Sequence, residues 1–150
     1  MAWAIGALVE VPLMIGFAWL AARVGGVERL LVLGAAMLLI RAAAILLVGE
    51  PLLVTLTMLI HGAGFALLLV GGVTFVARHA PAGTAATAQG ILSGVAFGLA
   101  MIVGPGVGGA LAQLLGLPGM FAVAGATSGV AVVALAWSLR YGAREISASG

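Results

Sequence analysis

The sequence predicts an all-α, polytopic membrane bundle of about five transmembrane helices within residues 1–150. Composition is the first reason: 64% of residues are hydrophobic and 7% charged, whereas a soluble domain is nearer half apolar and a quarter charged. The mean hydropathy of +1.33 agrees with this. The second reason is spacing, because the apolar residues fall in runs of about 20 to 30, the length a helix needs to cross a bilayer. The third is that the breaks between runs are short and hold Gly, Pro, Arg and Glu. Runs of this length exclude the short alternating strands of a barrel, and no other closed structure satisfies the backbone in lipid.

The first span covers about residues 3–22 and ends at "ARVGGVER". The second, about 30–48, ends at "GEP". Pro51, a favoured first-turn residue, opens the third at about 52–77, which ends at "RHAPAGT". The fourth, about 85–115, is interrupted by "GPGVGG", and the fifth, about 120–139, follows "GLPG". Connections this short make consecutive helices antiparallel.

The arginines orient the bundle. Arg23 and Arg29 follow the first span, Arg78 the third, and Arg140 with Arg144 the fifth, while the two intervening loops hold Glu50 and no arginine. The positive-inside rule makes the arginine-bearing ends cytoplasmic. The expected topology is an external N-terminus and an internal C-terminus, in a bacterial inner membrane. An odd number of helices whose first begins on the far side is unusual for a complete small protein. The chain is therefore expected to be part of a larger one.

The same composition limits the function classes. Six arginines and four glutamates, with no lysine or aspartate, give a net charge of +2. The isoelectric point of 10.6 reflects how few charges there are. No basic run can track phosphates, so nucleic acid is not an expected partner. The absence of cysteine excludes disulfides and thiolate metal sites. No His/Asp/Glu spacing suits a metal and no nucleophile has a base nearby in sequence, so neither enzyme chemistry nor a cofactor is expected. The first segment has no positive n-region and is too long for a signal peptide.

Three ionisable residues lie well inside the spans: Glu10, Arg41 and His61. At 1.5 Å per residue, Glu10 is roughly 19 Å from Arg23, Arg41 roughly 18 Å from Arg29, and His61 roughly 15 Å from Pro51. All three fall near the middle of a hydrocarbon layer about 30 Å thick. A charged group there costs about 2.5–3.5 kcal/mol on insertion scales, so these residues are expected to face one another or a shared aqueous cavity. A carboxylate whose charge depends on its neighbours, an imidazole that titrates near neutrality and a permanently charged guanidinium could together bind and release a proton. The alternative is structural: a histidine bonded to a neighbouring helix beside an Arg–Glu pair. His79, next to Arg78, reads as a solvated loop residue.

Gly90, Gly94 and Gly98 form a stripe that Gly104 and Gly108 continue, a spacing that lets membrane helices approach closely. Pro105 is expected to kink its helix, for packing or for gating. "GPGVGG" lacks the lysine and the strand-to-helix setting of a phosphate loop. Gln89 is either a cavity residue or an interfacial one. Pro12, close after Glu10, removes one intrahelical hydrogen bond.

Two stretches, "ALVEVPLMIGFAWLAARVGGVERLLVLGAAMLLIRAAAILL" and "LIHGAGFALLLVGGVTFVARHAPAGTAATAQGI", resemble the major facilitator superfamily. More narrowly, they are similar to the branch of lactose permease, nucleoside–proton symporters and phenylpropionate permeases. The resemblance covers nearly the whole chain and implies the last five of twelve helices. "RVGGVER" looks like a degenerate copy of that family's loop between the eighth and ninth helices. By resemblance, Arg41 and His61 correspond to the arginine and histidine of the permease's proton-coupling network. Gly64 stands where the permease has a glutamate one turn after its histidine, and Glu10 lies about one turn later than the sugar-binding glutamate. Galactoside specificity therefore does not follow, and Glu10 with Pro12 is closer to the "E-x-P" of the other branch. The expected function is proton-coupled transport of a small organic solute. The partners would be protons, that solute, the bilayer and a missing N-terminal half. A small oligomeric scaffold or channel subunit is the alternative.

Overall fold

The computed structural model describes the backbone over residues 2–47 and 50–148 and side chains over 4–47 and 50–139. The side chains of Arg140 and Arg144, and the expected end of the second span at residue 48, lie outside the described residues. Every regular element among the described residues is helical: α1 (Ala2–Ile15), α2 (Phe17–Val24), α3 (Val27–Leu47), α4 (Pro51–His79), α5 (Ala85–Ser93), a π-helical stretch (Gly94–Leu99) and α6 (Ala100–Ala148).

The first span is bent and not the single straight helix expected. Ala4–Ile15 and Phe17–Val24 meet at 70°. The break is at Gly16, held at φ −83° and ψ 1° one turn after Pro12, which lacks an amide hydrogen and weakens the ladder there. α2 ends where Gly25 turns left-handed at φ 90°. The Gly25 and Gly26 amides both donate to the Ala21 carbonyl, at 3.1 and 2.9 Å. Arg29 then reaches back to donate to the Val24 carbonyl at 3.0 Å, so "RVGGVER" forms a closed turn.

Pro51 is in the first turn of α4, as expected. With 29 residues, α4 is about 43 Å long, more than the hydrocarbon thickness. The apolar run Ala85–Leu139 spans 55 residues, which no single crossing can use. It divides at Gly116, whose φ of 71° and ψ of 174° are non-helical, and Met120 folds back so that a Cβ on Gly108 would lie 4.0 Å from its sulfur. Counting the bent α1–α2 pair as one span and dividing the long run at Gly116, the described residues form five membrane-length segments. No departure from helical angles occurs at Pro105; the irregular turns lie earlier, in the π-helical stretch.

Small residues set the packing. α4 is central, with α1 and α3 against it, and α3 packs in turn on the second limb of α6. Gly6 meets the Met58 carbonyl and Gly62, and Phe17 meets Gly71, so α1 and α4 run parallel. Gly34 and Gly64 cross reciprocally: a Cβ on either would lie 3.0 Å from the other's carbonyl oxygen. Further along, Leu31 meets Gly71, so α3 and α4 are antiparallel. Ala42 against Gly125 and Leu39 against Gly129 set α3 antiparallel to the second limb of α6. The densest core gathers Phe17, Ala21, Val27, Leu30, Leu31 and Leu67, while the outer surface stays apolar, with Ile15 83% and Ile102 78% exposed. Close backbone approach replaces the hydrophobic drive that lipid cannot supply.

Candidate functional site

Each of the three predicted ionisable residues sits on one member of the α1–α4–α3 sandwich. The glycine contacts fix their relative heights. In the antiparallel α3–α4 pair, the Leu31–Gly71 and Leu38–Gly64 contacts bring Arg41 level with His61. In the parallel α1–α4 pair, Gly6 opposite Met58 and Gly62 brings Glu10 level with residues 64–66, about one turn farther along α4. Around α4, the residues that touch α1 (Met58, Gly62) and those that touch α3 (Gly64, Leu68) lie on either side of His61. His61 thus points into the angle between α1 and α3.

Electrostatics agree with the register, since both Arg41 and Glu10 act on His61 through space. All three side chains are half-buried. The Arg41 Nε is buried with no hydrogen-bond partner among the described residues. Phe65, one turn along α4, stacks on His61 with ring centroids 6.2 Å apart and planes 23° from parallel. Thr57, one turn before it, is 6% exposed, and its hydroxyl is spent on the Val54 carbonyl at 2.6 Å. Neither Phe65 nor Thr57 stood out in the sequence. The signal available was their spacing, four residues either side of His61 on one helical face.

An imidazole can accept or donate a proton at either ring nitrogen. Arg41 keeps its charge and provides a fixed positive centre with donors in a planar fork.

The other candidate residues lie elsewhere. Gln89 donates to the Val73 carbonyl at 2.7 Å, which fastens the start of α5 to α4. No atom comes within 4 Å of a Cβ placed on Gly90, Gly94, Gly98 or Gly104, and Gly108 meets only Met120. Among the described residues, no other helix therefore packs on Gly90, Gly94, Gly98 or Gly104, while Gly108 meets the second limb of α6. Pro105 is inside the first limb of α6. His79 stacks on Phe75 with centroids 4.1 Å apart, and its Nδ1 is 2.9 Å from the Phe75 carbonyl, in the exposed last turn of α4.

Comparison with curated proteins finds no match. Comparison with solved structures also finds none. The model of the MFS_1 like family matches residues 1–123, most of the chain including Glu10, Arg41 and His61. The chain is therefore an integral membrane protein that belongs to the MFS_1 like family.

Proposed function

We propose that this chain is the C-terminal part of a proton-coupled secondary transporter for a small organic solute, working across a bacterial inner membrane. The observation that supports this reading is the gathering of Glu10, Arg41 and His61 from three helices around one angle of the bundle. Ionisable residues at such a depth are costly and mark ion or substrate pathways. Family membership supports transport as the activity. In transporters built from repeats, substrate binds near the midplane between the two halves. The partner half would close the site over His61, and the solute would sit between them.

His61 and Glu10 would exchange the proton as α1 and α4 rearrange, and Arg41 would favour whichever state keeps a negative charge beside it. The chain resembles the branch containing lactose permease, from which Gly64 and the position of Glu10 depart.

The test is substrate-driven proton movement. Lightly buffered cells expressing the full-length gene product are given sugars, nucleosides and aromatic carboxylates in turn. External alkalinisation on adding one solute class, abolished by a protonophore, is the expected result. A solute that enters without moving protons would contradict coupling. A purified chain that forms a stable oligomer and carries no solute would favour the scaffold or channel alternative.

A further inference from the structure

We propose that the slot between the α1–α2 elbow and α4 binds an anionic phospholipid, with an acyl chain in the slot and the phosphate at Arg78. The 70° bend at Gly16 swings α2 off the line of α1 and opens a cavity of about 510 Å³ against α4. Met14, Ile15, Phe17 and Ala18 form one wall, and Val70, Thr74 and Arg78 come from the other. Arg78 is the one charged lining residue. The Thr74 hydroxyl is committed to the Val70 carbonyl at 2.7 Å, and the Gly25 and Gly26 amides are committed to Ala21. What remains is a slot whose lining side chains are apolar apart from Thr74, with a cation at one end. From Val70 to Arg78 it runs about 12 Å along α4, a depth suited to an acyl chain entering from the membrane surface.

Charge identifies the occupant. Among the described side chains, Arg23, Arg29 and Arg78 gather at this end of the bundle with one acid, Glu28. Arg23 stacks on Trp19 at 4.4 Å, and Trp19 is 60% exposed. An indole paired with a cation in this way marks the headgroup level. The slot is separate from the ionisable group: around α4, Val70 lies about 180° and Thr74 about 220° from His61. A half that closes over His61 would therefore leave this side of α4 open to lipid.

The test is native mass spectrometry of the purified chain in detergent, titrated with phosphatidylglycerol or with phosphatidylcholine of the same acyl chains. One phosphatidylglycerol should be retained, and phosphatidylcholine should bind about five-fold more weakly, as expected for one arginine near the headgroup. Arg78→Gln, a surface change, should remove that preference, while Arg23→Gln, which lowers the charge equally outside the slot, should keep most of it. Ala18→Leu, which fills the slot at an exposed position, should weaken both lipids with helix content unchanged by circular dichroism. Equal retention of the two lipids by the wild type would overturn the proposal, as would equal losses in Arg78→Gln and Arg23→Gln. A lipid-free dimer with the slot shielded between copies would also overturn it.

Discussion

At the scale of single residues, the account rests on why lipid tolerates Glu10, Arg41 and His61. Each was visible in the sequence because ionisable residues stand out in apolar runs, and counting 1.5 Å per residue put all three near mid-membrane. For Glu10 that count assumed a straight helix as far as Arg23, and the bend at Gly16 shortens it. Phe65 and Thr57 were not visible, because an aromatic and a threonine are ordinary in a membrane helix. Only their positions one turn from His61 give them a place in the site. The sequence allows Gln89 a place in a cavity or at an interface, and its bond to Val73 gives it a fastening role in this chain. Arg41 supports a specific expectation. Its Nε is buried without a hydrogen-bond partner among the described residues, and an arginine at the centre of a span costs about 2.5–3.5 kcal/mol on insertion scales. Arg41→Leu should therefore insert more readily by about that amount, measured by glycosylation mapping of the α3 segment, while the whole transporter loses accumulation. An unchanged insertion efficiency would mean the guanidinium already escapes the hydrocarbon.

At the scale of elements, span positions were legible to within a few residues, because apolar length and Gly/Pro punctuation report the bilayer directly. The elbow at Gly16 was not. Pro12 was noticed for its missing hydrogen bond, but a proline in a membrane helix does not reveal whether or where the chain turns. The division of the 55-residue run at Gly116 agrees with the expected "GLPG" break, although the chain leaves the helix at one residue rather than four. Glycine function depended on neighbours that the sequence does not show. Gly62→Ala would drive a methyl into the Gly6 carbonyl, and overpacking of this kind typically costs about 1–3 kcal/mol. Gly90→Ala meets nothing within 4 Å and should be neutral, or stabilise by about 0.5–1 kcal/mol through helix propensity. Steric-trap or SDS unfolding of the two variants checks the contrast, and equal effects would refute the α1–α4 contact. Gly25→Ala combines φ 90° with a Cβ 2.6 Å from the Arg29 guanidinium. It should destabilise by at least about 1 kcal/mol in the same assay.

At the scale of the whole molecule, the arginine pattern and the helix directions make one topology. α1 and α4 run parallel, with α3 antiparallel to both, as alternating crossings require. The chain has no cysteine, so single-cysteine variants report sidedness without background. Glu50→Cys should react with an impermeant maleimide added outside intact cells, and Ala82→Cys only after lysis; the reverse pattern would invert the bundle. The glycine stripe on the fourth span faces open space in this chain, so Gly94→Leu should leave the isolated chain intact. If a partner half covers that face, the same change should impair the longer protein. The central claim remains that Glu10, Arg41 and His61 move a proton with the solute. The most direct measurement compares uphill accumulation with equilibrium exchange of the same solute in wild type, His61→Ala and Arg41→Ala. Accumulation should be abolished in both variants while exchange continues in at least one of them, which shows that the protein folds and binds. Accumulation at wild-type rates in both variants would contradict the claim.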